Sequence, residues 1–328
     1  MKKLLNVLLV LCLCCASALA ADLTTNSGVE IDLSALPHQD EAAPVTVYFI
    51  SGISSESLVK AYQALGVELS GKVGVKLSTG ESERTNYLRP ALIGDLVKML
   101  NGTIVECNTA YGGSRSSTAM HMQLAKDHGF TDIAEVDILD AEDSMEIPID
   151  GGKRLSVDYV GSHFANYDSF LVLSHFKGHA MAGFGGAIKN ISIGFGSAKG
   201  KGWIHSGGTS FTNIWGGEQD AFLEAMADAA KAVDSTMDDN IVYISVLNRL
   251  SVDCDCDGSP AEPDMHDIGI LASADPLAID QAAIDLVYAM PDSSSLIERI
   301  ESRNGLHTLD AAEAVGLGSR TYNLMVIE

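Results

Sequence analysis

Residues 170–205 read FLVLSHFKGHAMAGFGGAIKNISIGFGSAKGKGWIH. The opening run, Phe170-Leu171-Val172-Leu173, is apolar and short, as a buried strand is. Polar and glycine chemistry follows at once: His175, Lys177, His179, Gly183, Gly185, Gly186, Lys189 and Asn190. A strand, a glycine-rich turn and a short helix in that order mark the place where α/β proteins put ligand sites, at the carboxyl end of the sheet. Glycine lets the backbone turn at positive φ and approach a ligand closely. The N–H groups that open the next helix favour an anion. Histidines 175, 179 and 205 and lysines 177, 189, 199 and 201 stand out in a chain with 44 acidic and 21 basic residues.

Outward from this stretch the chain alternates strands and helices. Val45 to Ile50 is β-branched and aromatic and predicts a strand. Ser54 or Ser55 can cap a helix carrying Leu58, Val59, Tyr62 and Leu65 on one face. Lys72 to Leu77 and Thr103 to Cys107 predict further strands, with a helix from Leu88 to Leu100 between them. A β-α-β-α-β order implies parallel strands joined by right-handed crossovers. Beyond the central stretch, Glu218 to Val233 is an amphipathic helix and Ile241 to Leu247 a buried strand. Ile268 to Ser273 predicts another strand, and Asp275-Pro276 caps a helix that runs to Tyr288. The expected fold class is α/β, with mostly parallel sheets flanked by helices. Two interlinked lobes, about 45–160 and 161–328, would enclose a cleft. Residues 21–44 are polar, hold Pro37 and Pro44, and read as an extended N-terminal arm.

Residues 1–20 have the form of an export signal peptide. Lys2-Lys3 precede an apolar run from Leu4 to Cys15, and Ala18-Leu19-Ala20 offers a small-x-small cleavage site. Cleavage there takes the formal charge from −23 to −25. Such a surface repels nucleic acid and anionic membranes; against it the Lys/His enrichment at 175–205 stands out as a positive pocket, and the expected partner of the exported, periplasmic or secreted chain is a small anionic molecule. Cys107, Cys254 and Cys256 remain after cleavage. An odd count outside the cytoplasm leaves a free or metal-bound thiol. Cys107 ends an apolar strand and reads as a small buried hydrophobe.

Two more loops carry candidate chemistry. Asn108-Thr-Ala-Tyr-Gly-Gly-Ser-Arg115 follows the third strand, and Arg115 could grip a carboxylate or phosphate in a bidentate manner. Asp253-Cys-Asp-Cys-Asp257 follows the strand at 241–247. Its sulfur ligands, with an imidazole such as His175, suit iron or zinc, while Cys254 and Cys256 could also be joined to each other.

The string from His175 to Asn190, H-x-K-x-H-x-x-x-G-x-G-G-A-I-K-N, resembles the signature of the DUF362 family. The stretches around Glu106 to Arg115, Asp127-His-Gly129, Cys254-Asp-Cys256 and Asp267 to Asp280 are similar to it too, so that the resemblance covers roughly 45–328. Many members carry a ferredoxin-like, cysteine-rich insert; here no cysteine lies between Lys189 and Asp253. The spacing of His179, Lys189 and His205 also resembles, more distantly, the nickel-pincer segment of lactate racemase-type enzymes. That resemblance implies a lysine that bonds a cofactor and a later histidine that ligates nickel. Gly113-Ser114-Arg115 lacks the histidine of the racemase motif, so what is implied is shared fold and site location, not shared reaction.

The expected function is an enzyme that binds a small anionic substrate or cofactor. His179, Lys189 and His205 are the candidate catalytic residues. Asn108, Arg115, Lys177, Gly185, Gly186 and Asn190 are the candidate binding residues, and Cys254, Cys256 and His175 the candidate metal ligands. A metal or redox protein and a non-catalytic binding protein are the alternatives.

Overall fold

The computed structural model describes residues 22–328; the signal peptide expected at 1–20 lies outside them. The first elements are a small hairpin, β1 (Asp22–Thr24) and β2 (Glu30–Asp32), followed by β3 (Thr46–Ile50), α1 (Ser55–Ala64), β4 (Val73–Lys76), α2 (Pro90–Met99), β5 (Thr103–Glu106), α3 (Thr118–Asp127) and β6 (Val136–Ile138). A second hairpin, β7 (Ser144–Pro148) and β8 (Val157–Gly161), leads to β9 (Ser169–His175). A third, β10 (Lys177–His179) and β11 (Gly183–Gly185), precedes α4 (Ala187–Ser192), α5 (Ala198–His205) and α6 (Gln219–Met237). The chain closes with β12 (Ile241–Leu247), β13 (Gly269–Ser273), α7 (Pro276–Ala289), α8 (Ser294–Ser302), α9 (His307–Ala314) and β14 (Asn323–Val326).

One eight-stranded sheet, in the order β14-β3-β13-β12-β9-β4-β5-β6, organises all of this. Its pairs are parallel except for β13, which runs antiparallel to both β12 and β3. The expected α/β class with a mostly parallel sheet between helices is what the chain adopts. Strands from before and after residue 160 share the sheet. β9 and β12 are buried along their whole length, which is why they read as unbroken apolar runs rather than alternating ones. Period-two alternation still sorts their side chains. Phe170 and Val172 join the core under α4, α6, α7 and α9, whereas Leu171 and Leu173 join the core under α1 and α2.

Local signals set the helix starts. The Ser54 hydroxyl accepts the Ser57 N–H at the head of α1. Asp275 accepts the N–H groups of Leu277 and Ala278 at the head of α7, with Pro276 in the first position. The segment expected to be an extended arm differs. Leu23, Ile31, Leu33 and Leu36 are all buried in the main core, so the hairpin β1–β2 is docked. Among the described residues, no helix is long and apolar enough to cross a membrane.

β4, β5, β9 and β12 are mutually parallel neighbours, so their carboxyl ends lie along one edge of the sheet. The loops leaving those four ends build the site.

Candidate functional site: a cationic cavity at the strand ends

A cavity of about 430 Å³ opens over those ends. Lys76 and Ser78 line it from the end of β4, Cys107, Thr109 to Tyr111 and Arg115 from that of β5, and Ser174, His175, Lys177 and His179 to Met181 from that of β9. Residues 253–258 follow β12, and Lys189, Lys201 and His205 come from α4 and α5. Five lysine and arginine side chains therefore face one space: Lys76, Arg115, Lys177, Lys189 and Lys201.

Three of the five are tied to carboxylates. Lys76 Nζ donates to Glu106 at 2.9 Å, to the Leu77 carbonyl at 2.7 Å and to Asn190 Oδ1 at 3.1 Å. Arg115 donates to Glu81 at 3.0 Å and to Glu106 at 3.2 Å. Burial alone would push the Glu106 carboxyl up; Lys76 and Arg115 overcome this and hold it down at about 2. Lys177 donates to Asp255 at 2.8 Å, and His175 Nδ1 lies 3.0 Å from the same carboxylate. Lys201 donates to the Gly196 carbonyl.

Lys189 differs. Burial, reinforced by the like charges of Lys177, Arg115, Lys201 and Lys76, depresses its ammonium from 10.5 to about 7, and among the described residues its ammonium has no hydrogen-bond or carboxylate partner. The glycine turn puts it there. Asp280 accepts the N–H groups of Ala187 and Ile188 at 2.7 and 2.9 Å, pinning the start of α4. A Cβ on Gly186 would lie 2.1 Å from that carboxylate, so only glycine admits the contact.

Two histidines complete the wall with opposite polarity. His179 Nδ1 accepts the backbone N–H groups of Met181 and Ala182 at 3.1 and 2.9 Å. Nε2 therefore carries the proton of the neutral ring. Burial, then Lys189 and His205, holds this ring well below its ordinary pKa, so it stays neutral. His205 Nδ1 donates to the Lys201 carbonyl at 2.7 Å, which leaves Nε2 an acceptor. Its ring stacks on Phe222 at 4.8 Å, and burial lowers it to about 4. The cavity thus holds a neutral donor, a neutral acceptor and an amine close to its titration point.

Cys254 and Cys256 are disulfide-bonded, and Cys256 Sγ lies 3.8 Å from His179 Nε2. One ligand atom from each of His179, Cys254 and Cys256 lies within 4.8 Å of the others, near enough for one ion. In the form seen here the set does not fit a metal. The sulfurs are bonded to each other, and the histidine nitrogen that faces them bears its proton.

Residues 73–285 match the family model described as a domain of unknown function, DUF362. The chain belongs to the DUF362 family. No curated protein matches it. Among solved structures it is similar to the lactate racemase apoprotein from Thermoanaerobacterium thermosaccharolyticum. The identity is 15% and the TM-score 0.45, over 82% of this chain and 62% of that one. It is also similar to a protein from Thermotoga maritima at 10% identity and TM-score 0.42, over 76% of this chain and 58% of that one. The chain thus spans less than two thirds of the length of either structure.

In this DUF362 chain most of the residues singled out from sequence line the one cavity: Arg115, His175, Lys177, His179, Gly185, Gly186, Lys189, Asn190, His205, Cys254 and Cys256. Asn108 does not. Its N–H donates to Asp140 and its Nδ2 to Thr118, turning it away from the space. His175 is not free to ligate a metal, since its Nδ1 faces Asp255 and its Nε2 donates to the Asn248 carbonyl at 2.7 Å; the imidazole beside the sulfurs is His179. Sequence reasoning overlooked Glu106 and Glu81, the acids that neutralise Lys76 and Arg115. An acid at the end of an apolar strand, Ile104-Val105-Glu106, was the available signal. Cys107 is buried as expected, and burial raises its thiol to about 12.

Proposed function

We propose that the chain is an enzyme acting on a small organic anion held at Lys189. The observation behind this is the contrast in pairing. Lys76, Arg115 and Lys177 are matched by carboxylates of the protein, and among the described residues Lys189 is not. A protonated Lys189 in a half-dry pocket attracts an anion in a chain that otherwise repels anions. With its ammonium lowered to about 7, the side chain is also partly a free amine at neutral pH and can take a proton from the bound molecule. His179 Nε2–H is placed to donate to negative charge as it develops, and His205 Nε2 to accept a hydrogen bond from a hydroxyl or amine of the substrate. The signal-like pattern at 1–20 supports the reading that this activity lies outside the cytoplasm.

A panel of small carboxylates and phosphate esters, scored by the rise in melting temperature, tests the proposal. At least one member is expected to stabilise the chain, and Lys189→Met to lose that binding a hundredfold or more. A member that stabilises chain and variant alike removes Lys189 from the site. Proton NMR of the bound member in deuterated water separates catalysis from capture. Solvent deuterium entering the ligand is expected; a ligand unchanged after prolonged incubation makes the protein a carrier.

A further inference from the structure

A second chemistry sits in the same wall and does not depend on Lys189. Cys254 is buried, at 5% exposure, while Cys256 is half-buried at the cavity surface. The loop that carries them is fastened by bonds that involve no sulfur. Asp255, between the two, receives Lys177 and His175 on its carboxylate and the Glu81 N–H on its carbonyl at 2.8 Å. Just upstream, Arg299 donates to the Val252 carbonyl at 2.6 Å and to Asp253 at 2.9 Å. Opening the disulfide therefore leaves the loop anchored on both sides of Cys254. Facing the outer sulfur is His179 Nε2, whose proton is fixed there by the backbone donors at Nδ1.

We propose that Cys254 and Cys256 are a redox-active pair that exchanges two electrons with a small thiol entering through the cavity. The thiolate attacks Cys256 Sγ, the sulfur of the more exposed residue, and forms a mixed disulfide. The protein S–S bond breaks, and its electron pair leaves on Cys254 Sγ, which takes a proton from water. A second thiolate attacks the sulfur of the bound small molecule. That step releases the small-molecule disulfide and leaves Cys256, opposite His179 Nε2–H, as a thiolate, which water then protonates. One protein disulfide has become two thiols and two small thiols one disulfide; the reverse sequence re-oxidises the pair. Asp255 keeps both sulfurs in position throughout.

Glutathione is the probe. Under native conditions, reduced glutathione followed by iodoacetamide should place two labels on the peptide carrying residues 254–256, with the circular dichroism spectrum unchanged. With oxidised glutathione, Cys254→Ser should trap a mixed disulfide at Cys256. Cys256→Ser should trap at least tenfold less at Cys254. Labels that appear only after denaturation overturn the proposal, and so does equal trapping at the two positions. Uptake of one zinc ion per reduced chain that blocks labelling also overturns it, in favour of a metal site. If either serine variant fails to fold, labelling of the unsubstituted chain still decides the matter. None of these outcomes bears on anion binding at Lys189.

Discussion

The two sides of the cavity carry similar residue types and differ in how those residues are partnered. On the side of β4 and β5, Lys76, Arg115, Glu81 and Glu106 form a closed network in which each buried charge meets its opposite. On the side of α4, α5 and the loop after β12, Lys189 has no such partner among the described residues, and His179 and His205 each turn a nitrogen toward the space. A buried charge that is already neutralised fixes shape. A half-buried group left without a partner is available to a ligand. The first wall is scaffold and the second is where chemistry is possible.

Substitutions on the two sides should therefore act in opposite directions. The largest effect is expected from Glu106→Gln, which strands the Lys76 and Arg115 charges in the core. Urea unfolding should show a loss of about 3–5 kcal/mol. A loss below about 1 kcal/mol would mean that the network is not what holds this wall. The pH dependence follows from the same group. Its folded-state carboxyl lies at about 2, below its ordinary value of 4.5. The stabilisation it gives is therefore present above that ordinary value and is lost as pH falls toward 2. Melting of the chain and of Glu106→Gln should converge in that acid range.

Lys189→Met should do the reverse and raise stability near pH 7 by about 1–3 kcal/mol, since the folded state no longer has to accommodate a half-buried cation. The folded-state value near 7 lies below the ordinary 10.5. Between those values the unfolded chain binds more protons, so the native lysine becomes less costly as pH rises. The advantage of the methionine variant should be full below pH 7 and fade toward 10.5. A variant that is less stable than the parent at pH 7 would move Lys189 to the scaffold side of the comparison. The smallest effect is expected from His205→Phe, which keeps the stack on Phe222 and removes the acceptor nitrogen. Its melting temperature should change by no more than about 2 °C, corresponding to under about 1 kcal/mol. Ligand binding should weaken several-fold; unchanged binding would show that the acceptor is not used.

The strands and the location of the cavity were legible in the sequence because both rest on local pattern. The apolar run before His175 and the glycine turn before Lys189 announce a strand end and a close approach. What could not be read is who pairs with whom. Arg115 finds Glu81 and Glu106, Lys177 finds Asp255 from 78 positions further along, and Lys189 finds nothing comparable. All three look alike in the sequence, and only the folded distances separate anchor from candidate reagent. The same limit explains His175 and His179. They lie four residues apart, yet one is occupied by Asp255 and Asn248 while the other faces the sulfurs. The hairpin β1–β2 was missed because four spaced apolar residues in a polar segment give too weak a period to separate a docked ribbon from a loose one.

The position of β3 also constrains how the chain reaches this structure. It is the earliest strand of the large sheet, yet its two neighbours are β13 and β14, which begin at Gly269 and Asn323. During synthesis Thr46–Ile50 must wait for more than two hundred further residues before either edge can be satisfied. The sheet therefore cannot be completed from the amino end onward, and a chain halted before Gly269 would hold an apolar ribbon with both sides open to whatever protein meets it first.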